Sequence, residues 1–268
     1  MIEYPGFDPV ALRIGPLAIR WYGLTYLLGF FAAWWLGQRR SRRPGSVVSP
    51  VMVQDLIFHC FLGVILGGRL GYMLFYGWEQ MLADPLYIVR IWEGGMSFHG
   101  GLLGVCLAAL MFARKHSRTF VDVADFVVPL VPIGLGAGRI GNFINNELWG
   151  KPADVPWAFV VDGVARHPTQ LYEALLEGLL LFTVLWWHTR ERKPGSTAPK
   201  HGGATGLFLA GYGICRLLVE FLRLPDEHLG YLAFGWLTMG QILSLPMIGF
   251  GLWMLARRVE RAVVQHSG

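Results

Sequence analysis

Residues 231–256 read YLAFGWLTMGQILSLPMIGFGLWMLA, without a single charged side chain. A hydrocarbon layer about 30 Å thick is crossed by roughly 20 residues of helix, so this stretch is long enough to span it. Two others read the same way: WYGLTYLLGFFAAWWLG at 21–37 has no charge, and Met96–Ala113 has only His99. Backbone polar groups in lipid must be satisfied within the segment, and runs of this length favour helices over barrel strands. The bulk numbers agree. The chain of 268 residues is 54% hydrophobic and 15% charged, with mean hydropathy +0.44. A soluble domain of that size needs more polar surface. An all-α, polytopic integral membrane protein is the expected fold class.

Seven spans are predicted, near Ala18–Gly37, Val51–Tyr76, Met96–Ala113, Phe120–Ala137, Pro168–Trp187, Ala204–Leu222 and Gly235–Leu255. Basic residues then fall in alternate loops. Arg39, Arg40, Arg42 and Arg43 follow the first span, and Arg114, Lys115 and Arg118 the third. Arg190, Arg192, Lys193 and Lys200 follow the fifth; Arg257, Arg258 and Arg261 follow the seventh. The positive-inside rule makes that side cytoplasmic, with the N-terminus outside. The net charge of +5 therefore reflects loops at a membrane and not a nucleic-acid surface. Met1–Pro16 carries Glu3 and Asp8, unlike a cleavable signal peptide, so the first span is expected to be retained. We expect a single membrane domain with two outer insertions, Gly77–Gly95 and Gly138–His167, and an outer aromatic belt of Trp78, Trp92, Trp149, Trp157 and Trp236. Gly63, Gly67 and Gly71, four residues apart, mark a face that admits another helix closely. Cys60, Cys106 and Cys215 lie in apolar runs without metal-ligand spacing and read as packing thiols.

Ionisable groups inside spans are costly and by default mark function. Here they share a depth. Arg69 and Arg216 lie six or seven residues from the outer ends of their spans, roughly 10 Å down. His99 opens the third span, Arg139 follows the fourth, Tyr22 opens the first, and Glu173 and Glu177 occupy the outer half of the fifth. Tyr212, Arg216, Glu220 and Arg223 form one helical stripe, on which Glu220 can neutralise Arg216 or Arg223. Glu173 and Glu177 read equally well as hydrogen-bonding partners of neighbouring helices. His59, in the cytoplasmic half, reads as structural.

Two outer segments stand apart. Gly94-Gly95-Met96-Ser97-Phe98-His99-Gly100-Gly101 sets one histidine between glycine pairs. Gly138-Arg139-Ile140-Gly141-Asn142-Phe143-Ile144-Asn145-Asn146-Glu147-Leu148-Trp149-Gly150 surrounds an arginine with amides, which suits a ligand with anionic oxygens. The sequence has no metal-ligand spacing, zincin motif, nucleophile elbow or P-loop. What remains is a histidine and several arginines at headgroup depth. Arginines hold a phosphate diester and stabilise a departing phosphate oxygen, and a histidine takes a proton from an incoming nucleophile such as a thiol. Transfer chemistry on an outer-leaflet phospholipid fits these residues; they do not name the acceptor.

The Gly138–Gly150 segment resembles the G-R-x-G-N-F-x-N-x-E-x-x-G motif of the bacterial prolipoprotein diacylglyceryl transferases, with every specified position matched. The His99 segment, Arg166–Glu173, Arg216 with Glu220–Arg223, Trp21–Leu24 and Met239–Ser244 resemble the family in order and context. The similarity runs from about Phe7 to Trp253. It implies a seven-helix inner-membrane enzyme with a periplasm-facing site and no cofactor or metal. It also implies the reaction: the diacylglyceryl group of phosphatidylglycerol passes to the lipobox cysteine of a prolipoprotein, forming a thioether and releasing glycerol phosphate. Carried over by position, the resemblance makes His99 the candidate base or orienting group for the thiol, and has Arg139 and Arg216 hold the phosphate and stabilise its departure. Asn142, Glu147 and Gly150 would shape the headgroup pocket, Tyr22 and Tyr212 would line it, Arg69 would join the substrate-binding set, and Glu220 and Arg223 would support Arg216. Arg20 stands where some relatives carry histidine and receives no role. Lys151–Arg166 is short and says little about peptide recognition. A lipid flippase or transporter is the alternative, but it calls for a broken helix near the midplane, repeated halves or a polar path continuing inward, and here the polar groups stop in the outer half apart from His59.

Overall fold

The computed structural model describes residues 1–15, 17–190, 201–225 and 230–264. Arg192, Lys193 and Lys200 lie outside the described residues, as do the side chains of Arg258 and Arg261. In chain order the elements are β1 (Ile2–Glu3), β2 (Val10–Ile14), β3 (Leu17–Arg20), α1 (Trp21–Ser41), α2 (Pro50–Phe75) and α3 (Trp78–Ala83). Two 3₁₀ turns at Pro85–Val89 and Ile91–Glu93 lead to α4 (Phe98–Lys115), α5 (Phe120–Val127) and α6 (Val131–Ile144). Then come β4 (Phe159–Val161), β5 (Val164–Arg166), α7 (Thr169–Glu173), a π-helical stretch Ala174–Leu180, α8 (Leu181–His188), α9 (Gly203–Glu220) and α10 (Met239–Val264).

The helices largely follow the apolar runs, with one instructive departure. The stretch predicted as one span at Phe120–Ala137 is two helices, α5 and α6, separated by Val128, Pro129 and Leu130, with Pro132 in the first turn of α6. Each proline lacks an N–H and disfavours helix in the residue before it, so the chain breaks between them. Arg139, predicted to follow the span, is therefore carried within α6. Among the described residues α2, α4 and Met239–Arg257 are long and apolar enough to cross a membrane, and the bent pair α5–α6 makes a fourth if taken as one span.

The chain forms two compact units. In the unit Trp34–Phe126, α2 and α4 pack backbone to backbone. A Cβ added at Gly63 would sit 2.6 Å from the Gly104 carbonyl oxygen, and one at Gly71 would sit 2.8 Å from Gly100 Cα. Only glycine allows this approach. Val53, Leu56, Met73, Phe112 and Val123 are buried in this unit. Leu66 and Leu103, by contrast, are 57% and 70% exposed, an arrangement that lipid and not water accommodates. His59 Nδ1 lies 2.6 Å from the Asp55 carbonyl one turn earlier, in keeping with its structural reading.

The unit formed by residues 1–33 and 127–268 joins α9 to α10 through Gly206, Gly213 and Gly251, where added Cβ atoms would strike the facing helix. Likewise Gly136 of α6 meets Gly178 of the π-helical stretch: a Cβ at Gly178 would lie 2.8 Å from Gly136 Cα. Outside the helices, β1 pairs in parallel with β4, β4 pairs antiparallel with β5, and β2–β3 form a hairpin. Tyr4 donates its hydroxyl to the Phe143 carbonyl (2.8 Å) and its ring meets Phe7, Phe143 and Trp149 edge-on, which ties the N-terminal strand to the end of α6.

Candidate active site

Three arginines and three carboxylates converge from α6, α7, the π-helical stretch and α9. The hub is Glu173, whose side chain is fully buried. Its Oε2 lies 3.1 Å from Arg139 Nε, its Oε1 accepts from an Arg216 terminal nitrogen, and that same oxygen lies 3.3 Å from Arg223 Nη1. Glu177, equally buried, lies 3.6 Å from Arg139 Nη2. Glu220 pairs with Arg216 one turn back on α9 (2.7 Å) and accepts the Thr238 hydroxyl (2.8 Å). An unpaired buried charge costs several kcal/mol, so each arginine needs such a carboxylate to remain at this position. Arg139 and Arg216 keep 19% and 15% of their side-chain surface open, against 8% for Arg223. The first two are the more open of the three.

Local structure explains the convergence. The stripe of Tyr212, Arg216, Glu220 and Arg223 starts on α9 and ends just beyond it. The π-helical turn begins directly after Glu173 and includes Glu177, and π turns, which hold one residue more per turn than an α-helix, recur at functional sites. Gly240 lets the start of α10 lie against Glu220, since a Cβ there would sit 2.6 Å from its carboxyl carbon. Thr238 and Gln241 brace that turn: the Gln241 carboxamide oxygen accepts the Thr238 amide (3.0 Å).

The end of α6 forms a second cluster in the same unit. Asn142 Nδ2 donates to Glu147 Oε2 (3.1 Å) and Asn145 Nδ2 to Glu147 Oε1 (3.0 Å), so two amides aim one carboxylate. Asn146 and Leu148 adopt positive φ of 60° and 62°, a conformation uncommon outside glycine and held here by hydrogen bonds. Gln170 donates to the Glu147 carbonyl, Thr169 to the Leu148 carbonyl (2.8 Å), and Trp149 Nε1 to Asn146 Oδ1 (2.7 Å). Gly150 pairs with Arg223 in a β-bridge, and a Cβ on it would lie 2.7 Å from the Leu222 carbonyl oxygen. Gly150 thus joins this loop to the end of α9. Tyr22 packs over Gly141 beside Asn142, and its hydroxyl meets that of Tyr26 (3.2 Å). Tyr212 stacks on Phe208.

His167 precedes α7, with Nδ1 3.1 Å from the Tyr172 hydroxyl; partial burial holds its imidazole below the usual value.

His99 and Arg69 belong to the other unit. His99 is exposed in the first turn of α4, whose N-cap is Ser97. Arg69, expected from the sequence to bind substrate, is buried, and its guanidinium donates to five backbone carbonyls: Tyr87, Ile88, Arg90, Gly94 and Gly95. A guanidinium has five N–H groups, so these bonds account for all of its donors. Glu173, which the sequence reads equally well as a functional group or as a hydrogen-bonding partner of a neighbouring helix, is the centre of the arginine cluster. Among the described residues, no group of three or more His, Cys, Asp or Glu side chains is arranged to hold a metal ion.

A model of the prolipoprotein diacylglyceryl transferase family matches residues 9–257. The phosphatidylglycerol–prolipoprotein diacylglyceryl transferase of Solidesulfovibrio magneticus is 57% identical over 263 residues, covering 96% of this chain and 97% of its own. Those of Ectopseudomonas mendocina and Methylococcus capsulatus are 54% and 55% identical, covering 99% and 97% of this chain and 99% of their own. A match of this length, over the segment that carries the arginine cluster and the Asn142–Glu147 turn, means that the chain belongs to the prolipoprotein diacylglyceryl transferase family.

Proposed function

We propose that the protein transfers the diacylglyceryl group of phosphatidylglycerol to the lipobox cysteine of prolipoproteins. The observation that carries this reading is Glu173 holding Arg139 and Arg216 together from α6 and α9 while leaving an edge of each open. Two guanidiniums fixed in this way are preorganised for a phosphate diester, and preorganised charge stabilises the oxygen that departs. In the reaction, the thiol sulfur forms a bond to the glyceryl carbon. The carbon–oxygen bond to phosphate breaks, glycerol phosphate leaves with that electron pair, and the thiol proton passes to a base.

His99 is the group we assign to the thiol proton, and Arg139 and Arg216 the groups on the phosphate. Asn142 and Glu147 then orient the headgroup, with Tyr22 and Tyr212 beside it and Gly150, Glu220 and Arg223 supporting the wall. We further infer a single seven-span domain in the bacterial inner membrane, its site facing the periplasm, its N-terminus outside and its C-terminus in the cytoplasm. The alternation of basic loops supports that orientation.

The test is purified protein in detergent with phosphatidylglycerol and a lipobox-cysteine peptide, read by mass spectrometry. A gain of one diacylglyceryl unit, lost with the Cys→Ser peptide and with Arg139→Ala protein, is the expected result. An intact, lipid-binding protein that yields no adduct with several lipids and peptides would make it a lipid carrier instead.

A further inference from the structure

The segment leading to His99 has little regular backbone pairing of its own. Tyr87–Gly95 leaves a 3₁₀ turn at Val89, makes a second at Ile91–Glu93, and ends in Gly94 and Gly95 with φ of 88° and 80°. Such chain presents carbonyls outside any α-helical ladder or sheet, and buried carbonyls need donors. Arg69 supplies them. Nε donates to Ile88 (3.0 Å), one terminal nitrogen to Gly94 and Gly95 (3.1 Å for the latter), and the other to Tyr87 and Arg90 (3.2 Å for the latter). The guanidinium carbon also lies 4.6 Å from the centre of the Tyr87 ring, at cation–π distance.

Its neighbour in α2 completes the grip. The Gly68 carbonyl accepts the Ser97 amide (2.8 Å), and Ser97 Oγ in turn accepts the Gly100 amide as the N-cap of α4. Gly95 lies so close to Tyr72 that a Cβ would sit 2.5 Å from its ring. Two consecutive residues of α2, one donating and one accepting, therefore hold both sides of the turn from Gly94 to Ser97. His99 comes two residues later.

We propose that Arg69 is a positioning residue for His99, fixing where α4 begins and hence where the imidazole stands; this rests on the reading of His99 as the group that acts on the thiol. A displacement of about 1 Å in a reacting group lowers turnover by roughly 100-fold. The side chain acts on the rate through the backbone of 87–97, without touching the lipid.

Steady-state rates for the wild type, Arg69→Gln, Arg69→Lys, His99→Gln and the Arg69→Gln/His99→Gln double variant, each full-length in detergent, test this. Arg69→Gln is expected to lower kcat by about 100-fold with KM for phosphatidylglycerol within about 2-fold, and the double variant to be no slower than His99→Gln alone. Arg69→Lys recovers little, because an ammonium has three donors for five carbonyls. Hydrogen exchange is expected to quicken at Ser97–Gly101 while α2 keeps its protection. Should Arg69→Gln fail to fold, Tyr87→Ala, which removes only the ring beneath the guanidinium, must show the same loss in kcat to a smaller degree. A raised KM with unchanged kcat would make Arg69 a lipid-binding group, and losses that multiply in the double variant would uncouple it from His99; either overturns the proposal alone. Full turnover in His99→Gln overturns the proposal together with the reading beneath it.

Discussion

Glu173 Oε2 lies 3.1 Å from Arg139 Nε, and the carboxylate that makes this contact has no surface open to solvent. Because the same carboxylate meets Arg216 and Arg223, its removal strands three guanidiniums at once. Glu173→Ala is expected to abolish measurable diacylglyceryl transfer and to lower stability by about 3–5 kcal/mol, the usual cost of breaking a buried ion pair. Glu173→Gln, similar in shape but neutral, should fold better and still lose most activity. Transfer assays paired with thermal unfolding in detergent check both; near-normal turnover in Glu173→Gln would remove the carboxylate's charge from the account.

Asn142 acts on Glu147 as a donor, not as a shape. Asn142→Asp sets a second carboxylate about 3.1 Å from Glu147 Oε2, where like charges repel. At neutral pH the Asp variant is expected to be slower than Asn142→Ala, and both slower than wild type by at least about 10-fold. If Asp and Asn gave equal rates, the amide would have no role in aiming Glu147.

The α2–α4 seam tests packing apart from chemistry. Gly104→Val places a branched side chain against Gly63 and Gly67, and overpacking of this kind costs about 1–3 kcal/mol. The midpoint of thermal unfolding should fall by several degrees, on the order of 2–4 °C per kcal/mol. Leu103→Val, on the exposed face of the same helix, is the control and should leave the midpoint unchanged.

His167 gives a pH dependence of known sign. Partial burial lowers its value below the ordinary 6.5, so between the two values the unfolded chain binds more protons than the folded one. Its contribution is fully present above about pH 6.5, declines as pH falls through that region, and levels off below the folded value. Unfolding measured from pH 8 to pH 5 should show this decline in the wild type and a smaller one in His167→Gln.

Much of the helical layout is legible in the sequence, because runs such as Val51–Tyr76 announce themselves by length and apolarity. The break between α5 and α6 is hidden in the same apolar run. Hydropathy does not register that Pro129 and Pro132 lack N–H groups, so Arg139 reads as lying beyond a helix that in fact carries it. The depth shared by Arg139 and Arg216 is visible, but their common partner is not. Glu173 and Glu177, one turn apart, look like any polar pair facing a neighbouring helix. The usable signal is charge balance, since arginines at one depth in an apolar layer require carboxylates at that depth. Arg69 escapes for a different reason: a guanidinium bonded to carbonyls 18 to 26 residues ahead leaves no periodic trace in sequence.

The π-helical stretch Ala174–Leu180 has a consequence for a change of length in this chain. Because a π turn completes its rotation with one residue more, a chain one residue shorter there would close into an ordinary α-helix with better hydrogen-bond geometry. The residues on either side would keep their phase, Glu173 toward its arginines and Leu181–His188 in its seat. What the deletion would move is the widened turn itself, which carries Glu177. The local irregularity is thus an extra residue lodged in the wall of the site, and a more perfect helix at this place would shift Glu177 from its position 3.6 Å from Arg139.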